Sequence, residues 1–411
     1  MNKTQRIEAV MEVVRIIVAL AIAYGIALVI LFLVSDEPLF IIKQFILGPF
    51  SSQRRIGSII NLAVPFTLCG LSMCFISAVN KFNLIGESIF MLAAAMVTWA
   101  GLSLAGANLP AAVMVTLMYV VAIVTGVVLA FIPAILDRKF NANVVVTSLM
   151  LNSAVAYLAV YILRYKLRDP NISYMGSMEI PESIQLPNIL GKFRIQSGVF
   201  VAIAAVIIVA IIFYKTSFGW KMRLVGANPK CSQAVGLSSV GISFTAQLAG
   251  GALAGIGGAT EMMSNYTRFQ WTATTGHGFD GLLVAVLARN NPVLVPVAAL
   301  FLAYIRIGAD VVNTSGDIPI EFVTVIQGII ILLVAAESFM SGMKNRLIFK
   351  AAEEDEKAKS AAKPDSDSGD SASAEVKAVS TDTDTAKKIA AVGDDGGGAS
   401  SDETKKEDPS L

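Results

Sequence analysis

GHGFDGLLVAVLARN, residues Gly276 to Asn290, is the stretch on which the fold turns. Its apolar part, Gly278 to Ala288, is too short to cross a bilayer alone, because a spanning helix needs about 20 apolar residues. It is therefore either a half-helix or the end of a longer span that begins near Arg268. The chain around it is 411 residues long, 55% hydrophobic and 15% charged, with a mean hydropathy of +0.66. Those values exclude an ordinary soluble globular protein.

Working outward, seven runs have full spanning length: Ile16 to Val34, Ile56 to Val79, Ile89 to Gly106, Pro110 to Leu136, Val144 to Leu163, Pro292 to Val312 and Glu321 to Met340. Gly198 to Tyr214 and Gly241 to Met262 add two more, the first short and the second diluted by glycine. With the Gly278 segment they predict about ten transmembrane helices in an all-α polytopic membrane protein, since lipid offers backbone polar groups no partner. Eight or nine crossings are the alternative counts. Met1 to Arg15 is too long and too mixed in charge for a cleaved signal, so the first run is expected to be retained.

Charge supports ten alternating crossings. They place Lys3, Arg6, Arg15, Lys81, Arg138, Lys139, the Lys215 to Lys230 loop, Arg289 and the Lys344, Arg346, Lys350 cluster inside, where Lys and Arg of short loops collect. Asp310, Asp317 and Glu321 fall outside. So, against the rule, do Arg54, Arg55 and the mixed loop from Arg164 to Arg194. Both termini are then cytoplasmic, in a multi-pass protein of the plasma (inner) membrane. Residues 351–411 hold 8 Lys and 16 Asp+Glu, leaving 24 Lys+Arg and 15 Asp+Glu in residues 1–350, so the body carries +9 and the tail −8. The tail has no periodic apolar face and reads as a disordered, solvated cytoplasmic segment beyond a transmembrane domain at 1–350. Leu39 to Phe50, with Lys43 and Gln44 among apolar residues, reads as a helix along the outer membrane face or as a plain connector.

Enzyme chemistry finds little purchase. One His and three Cys give no metal spacing, disulfide framework or nucleophile–base set, and no Walker A motif is present. In LAGGALAGIGGAT, Leu248 to Thr260, Gly251 and Gly255 lie four apart on one helix face and predict a close helix–helix approach. Ionisable groups near apolar runs are more informative, because hydrocarbon penalises them. Glu87, Glu261, Asp280 and Glu337 either line a hydrated pathway or sit at helix ends. Asp280, near the start of a short helix, also suits the role of capping its free N–H groups. The Gly276 to Asn290 segment has the form of a broken transporter helix. KFNLIGESIFMLAAA, Lys81 to Ala95, makes a similar polar-to-apolar switch, so Phe82-Asn83 and Phe279-Asp280 are candidate counterparts of an internal repeat. Trp271 and His277 offer a stacking face and a polar handle for a planar ligand, with interface anchoring the alternative role for the Trp.

KTSFGWKMRLVGANPKCSQAVGLSSVG, Lys215 to Gly241, carries Lys215, Lys221, Arg223 and Lys230 with no acid. Asn228-Pro229 favours helix initiation, and Lys230 to Val235 is expected to form a short helix closed by Gly236. Such a helix suits docking of a soluble partner, with an ordinary loop as the plain alternative.

Three of these segments together resemble permease subunits of ATP-binding-cassette importers, in the branch serving simple sugars and nucleosides. The pattern F-N-I-G-A-E-G-Q is similar to Phe82 through Ile89, with Phe82, Asn83 and Glu87 kept and both glycines and the Gln replaced. R-A-V-G-E-N-P followed by A-G-I is similar to Arg223 through Pro229 and Val235-Gly236-Leu237. G-F-D-G-I-A-V-A-L-L-G-R followed by P is similar to Gly278 through Arg289 and Pro292. The set spans roughly residues 56 to 340.

The resemblance implies a type II importer architecture of about ten helices, with the helix around Asn228 to Gly236 coupling to an ATPase. It implies a cytoplasmic ATP-binding subunit, a second permease that is commonly a different chain, and an extracytoplasmic solute-binding protein or lipoprotein. Beyond these and the lipid bilayer, no nucleic-acid partner is implied. ATP and Mg belong to the partner ATPase, and no cofactor is expected in this chain. Phe82, Asn83, Glu87, Phe279 and Asp280 are the pathway candidates, and Arg223, Gly226, Asn228, Pro229 and Gly236 the coupling candidates. The expected cargo is a nucleoside or related small polar solute, with a monosaccharide or riboflavin as alternatives, and an ion-coupled secondary transporter as the rival from another class.

Overall fold

The computed structural model describes Gly25 and residues 38–107 and 109–315. The expected spans at Ile16 to Val34 and Glu321 to Met340, Glu337 and the acidic tail lie outside the described residues.

Among the described residues, seven helices are long and apolar enough to cross a membrane. After a short amphipathic helix α1 (Pro38–Leu47) come α2 (Gln53–Ser77), α3 (Gly86–Ser103), α4 (Ala111–Phe140) and α5 (Val144–Ile162), the last continuing as a wider turn over Leu163–Leu167. They are followed by α6 (Gly198–Lys215), an elbow of α7 (Ser217–Ala227) and α8 (Pro229–Ala234), then α9 (Ser239–Asn265), α10 (His277–Leu287) and α11 (Val295–Ser315). Among the described residues the fold is all-α apart from a two-stranded antiparallel ribbon, β1 (Asn188–Leu190) with β2 (Ile195–Gln196).

Two helices occupy the centre. The apolar window of α2 is 83% buried and that of α3 72%, against 28% for α4 and 22% for α6, whose outward faces carry Val, Ile and Phe. An apolar side chain turned outward has no reason to leave lipid, so α4, α5 and α6 form the rim. The glycine spacing in α9 acts as expected: a Cβ at Gly251 or Gly255 would collide with the backbone of α4 at Gly126 and Ala122, and one at Gly126 would collide with Gly251. Small residues on both faces bring the two backbones into contact. Helix α1 packs on α11, burying Ile41 and Phe45 while Leu39, Phe40 and Leu47 stay exposed. Arg55 secures the turn after it through Gly48 O (3.0 Å) and Ser51 Oγ (2.6 Å).

The ends of the bundle are distinct. At one end the elbow meets the last residues of α2, where a Cβ on Gly226 would strike Ala78 O, and Lys81 pairs with Asp137 of α4 at 2.9 Å. At the opposite end the 163–197 connection lies over the helix tips: Leu186 N donates to Met263 O of α9, and Asn61 Nδ2 of α2 donates to Arg194 O. Helix α9 finishes at this opposite end, whereas α11 starts near the elbow, where Tyr214 donates to Asn291 Oδ1. The chain between them must therefore cross, and it crosses broken. Residues 266–276 are non-helical and pair with the 163–197 connection through Ile180 N to Thr267 O and Ser177 N to Phe269 O. The 11-residue α10 completes the passage. A continuous helix from Arg268, one of the two sequence expectations, does not form; the half-helix does.

Candidate functional site

Helices α3 and α10 both begin inside the bundle, and their N-termini meet. Glu87, in the first turn of α3, is 1% exposed. One of its carboxylate oxygens accepts Gly276 N at 2.7 Å and Thr275 Oγ1 at 3.2 Å, and the other accepts Gly278 N at 2.7 Å. A buried carboxylate is costly unless its lone pairs are met, and charge-assisted bonds to helix N–H groups are among the strongest available. Here the charge also lies at the positive ends of two helices at once. Glycine is required on the α10 side: a Cβ at Gly278 would collide with the backbone of Glu87, and Gly276 has φ +82°.

Capping of α10 was one role expected of Asp280, but Glu87 takes the N–H groups of Gly276 and Gly278. Asp280, 4% exposed, instead forms an ion pair with Arg306 of α11. Arg306 also lies over the Phe66 ring at 5.8 Å. This cation sits inside a spanning helix, which is itself the signal that would have marked it. Asn83 is wholly buried, donating to Gln247 Oε1 of α9 (3.1 Å) while its own Oδ1 accepts Ile85 N (3.2 Å). Asn152 and Ser148 of α5 complete the start of α3 by accepting Ser88 N (2.9 Å) and Leu84 N (3.0 Å).

The aromatic groups near the break face inward. Phe90 is stacked with both Trp271 (5.6 Å, 18°) and His277 (5.0 Å, 26°), and Trp271 and His277 are buried. The stacking partner is thus the protein itself, and Trp271 is a core residue rather than an interface anchor. Of the five pathway candidates, Asn83, Glu87 and Asp280 are buried structural polar groups, whereas Phe82 (48% exposed) and Phe279 (39%) show on the surface beside them. The two candidate repeat segments therefore share a pattern of exposed Phe and buried polar neighbour.

The elbow gathers the coupling candidates. Asn228 Oδ1 accepts Lys230 N (3.0 Å) and Cys231 N (3.1 Å), capping α8, with Pro229 at its first position. Gly236 ends it with φ +82° while Leu237 N returns to Ser232 O. Gly226 seats α7 against α2, and Arg223 is exposed, with its guanidinium 5.5 Å from the Tyr214 ring centre. Ser217 to Ala227, expected as part of a loop, forms helix α7. Its signal was Gly219, Met222 and Val225, three apart and all buried.

The fold and this joint define a multi-pass membrane protein built around a broken crossing, a geometry suited to solute transport rather than to bond-making chemistry. Residues 55–335 match the family model described as branched-chain amino acid transport system / permease component, and the chain belongs to that family. It is similar to the glucose ABC transporter permease protein TsgB13 of Haloferax volcanii, 28% identical over 82% of this chain and 90% of the relative. It is also similar to the guanosine ABC transporter permease protein NupP of Bacillus subtilis, 30% identical over 74% of this chain and 88% of the relative. The nucleoside ABC transporter permease protein NupB of Lactococcus lactis is 27% identical over 83% and 94%. The chain is a permease subunit of an ABC importer, in the branch that holds sugar and nucleoside permeases.

Proposed function

We propose that this permease carries a nucleoside, or a related small polar solute, across the plasma (inner) membrane with energy from cytoplasmic ATP-binding subunits that dock on the α7–α8 elbow. The observation that carries the reading is the elbow itself: a capped, acid-free helix pair seated on the end of α2 and joined directly to α6 and α9. Movement of the elbow therefore reaches helices on both sides of the bundle. Such rigid-body shifts suffice for alternating access when the packing has two arrangements. Phe82 and Phe279 are the pathway-facing pair, and Asn83, Glu87 and Asp280 hold the backbone behind them.

ATP and Mg sit in the partner, and no cofactor is held here. A second permease of a different sequence completes the core, and a solute-binding protein or lipoprotein delivers cargo on the face opposite the elbow. Both termini are cytoplasmic. Similarity to the guanosine and nucleoside permeases supports a nucleoside, and similarity to the glucose permease supports a monosaccharide as the second reading. The test is uptake of radiolabelled guanosine and glucose into proteoliposomes holding the full importer. ATP-dependent guanosine uptake that survives collapse of ion gradients supports the proposal; uptake driven by an ion gradient without ATP overturns it.

A further inference from the structure

A cavity of about 330 Å³ lies between the elbow and the bundle. Its walls come from the end of α2, the end of α4, the α7–α8 junction and the start of α9. The volume is at the lower limit of small-molecule sites, which run from about 300 to 1,000 Å³. Several polar side chains line it. Ser243, 5% exposed, contributes a hydroxyl-bearing side chain to its lining. Asn80 and Asn141, both exposed, line it as well, and both hold left-handed turns that end a helix, with φ +53° and +49°.

The charge in the cavity is balanced, since Lys81 Nζ is paired with Asp137 at 2.9 Å. An anionic ligand would find its one cation already neutralised and a carboxylate beside it. An apolar ligand would strip water from two carboxamides and a hydroxyl without replacing their hydrogen bonds. What fits is a small neutral molecule with several hydroxyls, able to give and accept hydrogen bonds, with an apolar edge against Val79 and Val225.

We propose that this cavity binds a neutral polyhydroxylated solute of hexose to nucleoside size from the elbow side, and that occupancy restrains the elbow. The proposal rests on the import reading only in placing this face in the cytoplasm, where imported solute accumulates. A bound solute bridges Pro229 at the elbow to the fixed ends of α2 and α4, so it resists the displacement that coupling requires. Internal solute then slows further import.

The test uses the full chain in lipid nanodiscs, labelled with an environment-sensitive dye at Cys231 of α8. Labelling is specific because Cys69 and Cys74, the other cysteines, are buried. Guanosine and glucose are titrated separately, with equilibrium dialysis of the same radiolabelled solutes as a second readout. Ser243→Ala removes the hydroxyl, and Asn141→Gly removes the carboxamide while keeping the left-handed turn. The expected result is saturable binding of at least one solute, weakened about tenfold by each variant, with unfolding temperatures close to the native one. Absence of saturable binding by dialysis, or unchanged affinity in both variants, overturns the site. Uptake by the assembled importer is measured independently. Import without variant-sensitive binding removes this proposal alone, and variant-sensitive binding without ATP-driven import removes the import reading alone.

Discussion

Glu87 and Gly278 tie the two broken segments together: the carboxylate of the first accepts the N–H of the second at 2.7 Å, across 191 positions of sequence. Because the same side chain also holds Gly276 and Thr275, helix α10 cannot shift without α3. Replacing the carboxylate by an amide puts N–H donors against N–H donors. Glu87→Gln is expected to cost about 2–4 kcal/mol of stability and to abolish most uptake, with Glu87→Asp recovering part of both. Thermal unfolding in detergent and uptake rates check this, and equal behaviour of the two variants would contradict it.

Gly126 and Gly251 set the approach of α4 and α9. Gly126→Ala inserts a methyl against the Gly251 carbonyl and should destabilise by about 1–3 kcal/mol. Gly106→Ala, where nothing lies within 4 Å, serves as the control and should leave the unfolding midpoint near native.

Asn228 caps α8 from an exposed position, so its loss acts locally. Asn228→Ala should weaken α8 by about 1 kcal/mol and reduce transport-coupled ATP hydrolysis, whereas Asn228→Asp, which keeps the acceptor, should not. Hydrolysis rates of the assembled importer, with unfolding midpoints measured alongside, decide the matter.

Asp169 and Arg268 clasp the 163–197 connection to the non-helical entry segment at 2.6 Å, with Glu179 on the same guanidinium at 3.0 Å. The hydrogen bond from Arg268, aided by Asn171 N–H, holds the Asp169 carboxyl below its ordinary range. A depressed carboxyl stabilises the fold above its unfolded value, about 3.9, and loses that contribution as pH falls through the folded value. The difference in unfolding midpoint between native protein and Asp169→Asn should be constant from neutral pH to about 5 and shrink below about 3.9. A difference that grows with acid would contradict the assignment.

What the sequence made legible is what local pattern encodes. Four-residue glycine spacing foretold the α9 face, and Asn228-Pro229 with Gly236 foretold the two ends of α8. Length alone narrowed the Gly278 to Ala288 segment to a half-helix or the end of a longer span, and the contacts of residues 266–276 with the 163–197 connection select the half-helix. The partner of Glu87 did not follow, because a carboxylate in a first turn reads as serving its own helix, and nothing within a helical period points to residues 276–278. Arg306 hid inside a run counted only for its apolar length. Helix α7 hid because Gly219 and Gly226, present for close packing against α6 and α2, also read as loop residues.

The central claim is that the elbow receives an ATP-binding subunit. Its most direct test is purification of the full chain from native membranes in mild detergent, beside a variant carrying Lys221→Glu, Arg223→Glu and Lys230→Glu. The account predicts an ATP-binding subunit recovered with the native chain and lost from the variant while the variant stays folded. Failure to recover any ATP-binding subunit with a folded native chain, or equal recovery with both, would contradict it.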